Sequence, residues 1–152
     1  MPNRKLDLNK LIMLNAKVLS FSINNPNNIL VTGKNLESFD FSIDTKNAIN
    51  LSSLYVKISP KIRIDVILKI SHKSNNIFGK FDFDFLFLVE DLNKFIIKKK
   101  NKVLMKESLA ANLIGISYST ARGIIISKSI GTCIENAILP IIYPHDLLKR
   151  ER

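Results

Sequence analysis

Residues 117–149 read SYSTARGIIISKSIGTCIENAILPIIYPHDLLK, and the fold turns on how that stretch is parsed. A helix runs from about residue 105 to Ser129, and Gly131 stops it. An apolar arm follows around Pro140, and Pro144 opens a last short helix holding Leu147 and Leu148. The left-handed backbone that ends a helix costs glycine nothing, and proline suits a first helical turn because its missing N–H has no partner there anyway. Gly115 and the run Ser117, Tyr118, Ser119 mark where the long helix can divide into a short piece and a longer one.

Upstream of that stretch the apolar residues recur every second position, the period of a half-buried strand. Leu19, Phe21 and Ile23 form one stripe, and residues 24–28 (NNPNN) end it as a turn. Gly33, Lys34 and Asn35 mark a further turn, and Phe39, Phe41 and Ile43 alternate again. The pattern lapses over 47–60, which reads as a long crossover loop with apolar content. It resumes with Ile62, Ile64, Val66, Leu68 and Ile70, then, after a polar connection at 72–76, with Phe81, Phe83, Phe85, Phe87 and Val89. A connection that short pairs the last two strands antiparallel. Leu92, Phe95 and Ile96 suggest a short helical turn after Glu90 and Asp91, and 98–102 a basic loop. Residues 1–14 read as a loosely docked arm. Four strands with one apolar face need a covering layer, so the class is α+β, one domain over 1–152.

The chain has 152 residues, 46% hydrophobic and 24% charged, the balance of a globular domain. The single Cys133 has no internal disulfide partner and reads as a small buried hydrophobe, which favours a reducing, cytoplasmic home. No apolar run reaches the roughly 18 residues of a membrane helix, so no membrane insertion is expected. His72 and His145 are the only histidines, and neither stands at metal-ligand spacing with cysteine or carboxylates. Asp82 and Asp84 share one strand face, the place of a solvated polar stripe rather than of an acid–base pair. No phosphate loop is present. These readings point to no catalytic constellation and no metal site.

The net charge of +10 raises anionic partners: nucleic acid, a membrane surface or an acidic protein. Asparagine, isoleucine and lysine are abundant together, as in an AT-rich genome, so compositional drift is the competing explanation of that charge. Lysines over 98–106, with Lys149, Arg150 and Arg152, are candidate phosphate contacts. The nine phenylalanines fall mostly on inward stripes and make no exposed stacking platform, which weighs against nucleic acid. A basic nucleic-acid or polyanion-binding module is the alternative to the reading that follows.

Tyr118, Ser119, Thr120, Ala121, Arg122 and Gly123, then Gly131 and Thr132, then 137–142 (AILPII) stand in a specific order. Asp146, Leu147 and Leu148 fit the start of a last helix, and Leu19, Ser20 and Phe21 a first strand. Over 14–148 the chain resembles the SecB family of bacterial protein-export chaperones and its SecB-like relatives. That resemblance implies a four-stranded antiparallel sheet backed by a long helix and a short C-terminal helix, with no enzymatic activity and no cofactor. It also implies a homotetramer, a dimer of dimers. Such proteins hold unfolded or precursor polypeptides in apolar grooves and pass them to SecA, or they protect an antitoxin. The groove would lie between a crossover loop carrying Leu54, Tyr55, Val56 and Ile58 and the C-terminal arm and helix carrying Ile142, Tyr143, Leu147 and Leu148. The same residues would equally serve as core or subunit interface. Ile114, Tyr118, Ala121 and Ile125 would pack against the sheet or form the oligomer interface. The charge departs from the pattern: export members are acidic, whereas this chain ends KRER and carries Val18 and Ser22 where the resemblance places acidic contacts. Asp82 and Asp84 remain as an acidic patch for docking SecA.

Overall fold

The computed structural model describes residues 5–69 and 76–148. A 3-10 turn (Leu8–Lys10) leads into β1 (Leu11–Asn24), β2 (Leu36–Asn50), β3 (Tyr55–Leu68) and β4 (Phe78–Val89). A second 3-10 turn (Leu92–Phe95), two short strands β5 (Ile96–Lys99) and β6 (Lys102–Met105), the helix α1 (Glu107–Ser129) and the short helix α2 (Pro144–Leu148) complete the chain. The main sheet is four-stranded and antiparallel in the order β1-β4-β3-β2, as the resemblance implied.

Alternation builds the core. Val56, Ile58, Ile62 and Ile64 of β3 and Phe81, Phe83, Phe85 and Phe87 of β4 all point inward and are buried. Each such side chain contributes about 1.5–3 kcal/mol relative to exposure. The rings of Phe81, Phe83 and Phe85 stack along the strand at centroid spacings of 6.4 and 5.8 Å. The helix α1 lies across β3 and β4 and buries Leu109, Leu113, Ile114, Tyr118, Ala121 and Ile125 on them. Beyond it Gly131 takes φ +77°, the left-handed stop the sequence called for. The chain then drops Ile134, fully buried, onto Gly79 of β4; a Cβ at Gly79 would stand 2.5 Å from Ile134 Cδ1.

Several expectations change. The first strand starts at Leu11, so the arm read over 1–14 is shorter, with residues 1–4 outside those described. Residues 47–60 form no crossover loop. There β2 and β3 make a tight hairpin, paired from Asn50 and Tyr55 outward, with Leu54 at φ 59° in the turn. Pro60, at the end of that expected loop, sits inside β3 where the β3–β4 register has no partner for Ser59 or Pro60. A missing N–H costs least there, and the Ser59 hydroxyl instead donates to Asp84 at 2.6 Å.

The true crossover is residues 25–35, because β1 and β2 are opposite edges of the sheet and that segment must pass β4 and β3. The helix α1 runs unbroken through Gly115 and Ser117–Ser119, with Pro144 packed over Gly115 and Ser119 exposed. It is long and apolar enough by length and composition to cross a membrane, contrary to the run-length reading, and half of that apolar window is buried in the fold. The basic loop at 98–102 is the hairpin of β5 and β6. The connection read at 72–76, with Ile70, lies outside the described residues except for Asn76.

Candidate functional site

A helix with its side chains is about 10–12 Å across and strands lie about 4.8 Å apart, so one helix covers roughly two strands. The helix α1 sits over the central pair, and the inward strips of both edge strands stay partly open. On β2 the inward Phe39 and Phe41 are only half-buried, while Ile43 beyond them is closed over. On β1 the inward Val18 is half-buried and Phe21 is 47% exposed, with Lys128 Nζ 5.3 Å from its ring.

The β2 strip is walled into a groove. At one end the crossover residues Ile29, Leu30 and Val31, together with Leu36, Phe39 and the loop 131–136, enclose a cleft of about 500 Å³. Two residues along the same strand face, Phe41 and Ile43 meet Pro140, Ile141, Ile142 and Tyr143 around a second cleft of about 410 Å³. Leu30, Ile141 and Tyr143 stand mostly in solvent at 79%, 84% and 77% exposure. Among the described residues β2 pairs only with β3, so its outer edge has no strand beside it. An open edge next to apolar pockets suits an added extended segment, whose backbone pairs while alternate side chains fill the pockets.

The arm is held by a few contacts. The Tyr118 hydroxyl donates to the Pro140 carbonyl at 2.7 Å, and burial pushes that phenol's pKa up, with Arg122 opposing. Leu147 is buried and anchors α2, and His145 Nδ1 lies 2.8 Å from Glu107 Oε1 in the first turn of α1. Charge is unevenly placed around the groove. Asp40 and Asp146 border one cleft and Glu135 the other, and among the described residues no lysine or arginine lines either. In a chain of net charge +10 that is a local reversal of sign.

The sequence-predicted residues divide. Ile142 and Tyr143 line the groove, with Leu148 half-buried beside the anchoring Leu147. The other half of the expected wall does not. Val56 and Ile58 are fully buried beneath α1, Leu54 lies in the β2–β3 turn, and Tyr55 points to the opposite sheet face; none of the four lines either cleft. Their places are taken by Ile29, Leu30, Val31, Phe39 and Phe41. The signal for these was three apolar residues set between two turn clusters, an odd composition for a simple turn. Ile114, Tyr118, Ala121 and Ile125 pack on the chain's own sheet, and the outward apolar residues of that region are Ile116, Ile126 and Ile130. Asp82 and Asp84 lie on the outer sheet face and are engaged. Asp82 accepts from Ser20 at 3.2 Å, and Asp84 accepts from Ser59 with Lys57 Nζ at 3.7 Å. Lys17 and Lys61 stand directly across from Asp84 and Asp82, so the patch is mixed rather than acidic.

Comparison with solved structures places the fold beside a SecB-like chaperone of Mycobacterium tuberculosis, in complex with a ChAD peptide from the HigA1 antitoxin. The TM-score is 0.62 over 88% of this chain and 91% of that chain, at 9% identity. Likeness at that identity establishes the shared fold. No family model and no curated protein matches the chain.

Proposed function

We propose that the protein is a SecB-like holdase that binds extended, apolar and basic segments of unfolded polypeptides along the open edge of β2. The observation that carries this reading is the pair of adjoining clefts of about 500 and 410 Å³ on an edge strand whose outer side has no strand beside it among the described residues. An apolar surface of that kind, left open and rimmed by polar groups, is characteristic of a binding site. The acidic rim, with no lysine or arginine among the described residues that line it, favours a basic client. The fold shared with a chaperone that holds an antitoxin peptide supports a peptide client.

A dedicated client, such as an antitoxin, fits better than a general export role, because Asp82 and Asp84 are paired with neighbours and leave SecA no clear acidic platform. We further propose that copies associate through the open β1 strip around Phe21 and the isoleucines Ile116, Ile126 and Ile130, giving the homo-oligomer the resemblance implies.

The test is suppression of aggregation of an unfolded, lysine-rich apolar client at stoichiometric amounts, with Phe41→Asp as the site variant. The expected result is suppression by the parent protein and its loss in the variant at unchanged melting temperature. Failure of the parent protein to slow aggregation refutes the reading, and so does full suppression by the variant. Light scattering reports the assembly.

A further inference from the structure

The hairpin of β5 and β6 belongs neither to the core nor to the groove. Opposite residues of an antiparallel pair share a face. Ile96 faces Met105 and both are half-buried, so their face is turned to the body of the protein. The other face carries Ile97 opposite Leu104 and, toward the tip, Lys99 opposite Lys102. Ile97 and Leu104 are 38% and 45% exposed. Lys98, Lys99, Lys100, Lys102 and Lys106 make no ion pair among the described residues, although most of the other ion pairs there involve a lysine.

The arrangement works against the hairpin's own stability. Like charges directly across a strand pair repel, which is the position of Lys99 and Lys102. Lys100 takes φ 48°, a region disfavoured for a side-chain-bearing residue. Among the described residues no ion pair neutralises this charge, so an anion from outside is the natural complement.

We infer that this outward face lies flat on an anionic phospholipid surface, with Ile97 and Leu104 at the headgroup boundary and the lysines of the tip reaching the lipid phosphates. The observations favour a bilayer over nucleic acid. Apolar side chains set between lysines match the boundary between headgroups and acyl chains, where a lysine stem lies along apolar matter while its ammonium stays wet. A nucleic-acid surface uses stacking rings and planar guanidinium groups, and the hairpin has no arginine and no exposed aromatic: Phe95 at its base is buried. Surface attachment through the hairpin needs nothing from the client groove, so the two readings stand or fall separately.

The experiment is co-sedimentation of the full chain with vesicles of phosphatidylglycerol and phosphatidylcholine, against vesicles of phosphatidylcholine alone and against an RNA homopolymer. The chain contains no tryptophan, so Leu104→Trp gives a single emission signal on the outward face. Binding to the anionic vesicles alone, with a blue-shifted emission and weakening by salt, is the expected result. Each lysine near such a surface is worth about fivefold in partitioning, so Lys99→Gln, Lys100→Gln and Lys102→Gln together weaken binding about a hundredfold. Ile97→Ser with Leu104→Ser lowers binding about tenfold or more at unchanged melting temperature. Absence of binding to anionic vesicles at low salt overturns the inference. So does binding that survives the triple lysine change, or RNA binding with vesicles left unbound, which assigns the hairpin to nucleic acid instead.

Discussion

Gly79→Ala tests the joint on which the groove depends, the landing of the post-helical chain on the sheet. A methyl at Gly79 would come within 2.5 Å of Ile134 Cδ1 and 3.1 Å of the Phe81 ring. Ile134 is fully buried, so its end has no free space to swing into. Overpacking of this kind costs about 1–3 kcal/mol. Loss of glycine's freedom in the unfolded chain returns about 0.4–1 kcal/mol, leaving a net destabilisation of roughly 1–2 kcal/mol. Ile134→Val deletes the clashing methyl and by itself costs about 0.5–1.5 kcal/mol. In the double variant the new methyl occupies the space vacated by Cδ1, and the total stays near that of Ile134→Val alone. The coupling is then about 1–2 kcal/mol in the favourable direction. Urea denaturation followed by circular dichroism reads all four proteins, with shifted midpoints and an unchanged slope. Additive losses, or a Gly79→Ala protein as stable as the parent, refute the placement of Ile134 on β4 and with it the wall formed by residues 131–136.

Ile58→Ala destabilises by about 2–5 kcal/mol because the side chain is fully buried, whereas Tyr55→Ala, on the outer face, leaves client retention unchanged. Denaturation midpoints and aggregation assays separate the two effects. Tyr118→Phe removes the bond to Pro140 and costs about 1 kcal/mol, and limited proteolysis then cuts the arm faster. Burial raises the Tyr118 phenol above its ordinary 10.0, so the neutral form belongs to the fold. Its contribution is complete below pH 10 and is lost as pH rises through the raised value, which alkaline unfolding of parent and Tyr118→Phe proteins compares. Hydrogen bonds from Lys10 and then Lys94 hold the Asp91 carboxyl at about 2, below 3.8. The tie between the turn before β1 and the turn after β4 is therefore complete above pH 3.8 and fails as pH falls through about 2. A carboxyl titration followed by NMR, in which Lys10→Met moves Asp91 back toward 3.8, checks this.

The sheet was legible where the period of two ran uninterrupted, as from Phe81 to Val89. It was lost where Pro60, a polar Asn47 on the inward parity opposite Ile58, and the outward Asn50 imitated a loop, since periodicity alone does not reveal that a proline's missing N–H has found a gap in the ladder. The hairpin of β5 and β6 was hidden by its lysines, which have weak strand propensity and pair here across a tight turn. The helix survived Gly115 because tertiary packing outweighs local propensity. For the site, the proline arm was readable from its own chemistry. The opposing wall was not, because it depends on strand order: only once β1 and β2 are placed at opposite edges does the segment 25–35 become a crossing strap with Ile29, Leu30 and Val31 over an edge.

The strand order also has a history in time. Leu11 pairs with Val89, so the first strand to leave the ribosome waits for the last strand of the sheet. At about 5–20 residues per second that interval is roughly 4–16 s. Meanwhile β2, β3 and β4 need only their neighbours in sequence. Throughout the wait Leu14, Leu19 and Phe21 have no sheet to join, on a strand that ends as an edge even when folded. During its own synthesis the first strand of each copy is thus an unpaired apolar segment, the class of polypeptide proposed above as the client of a finished copy.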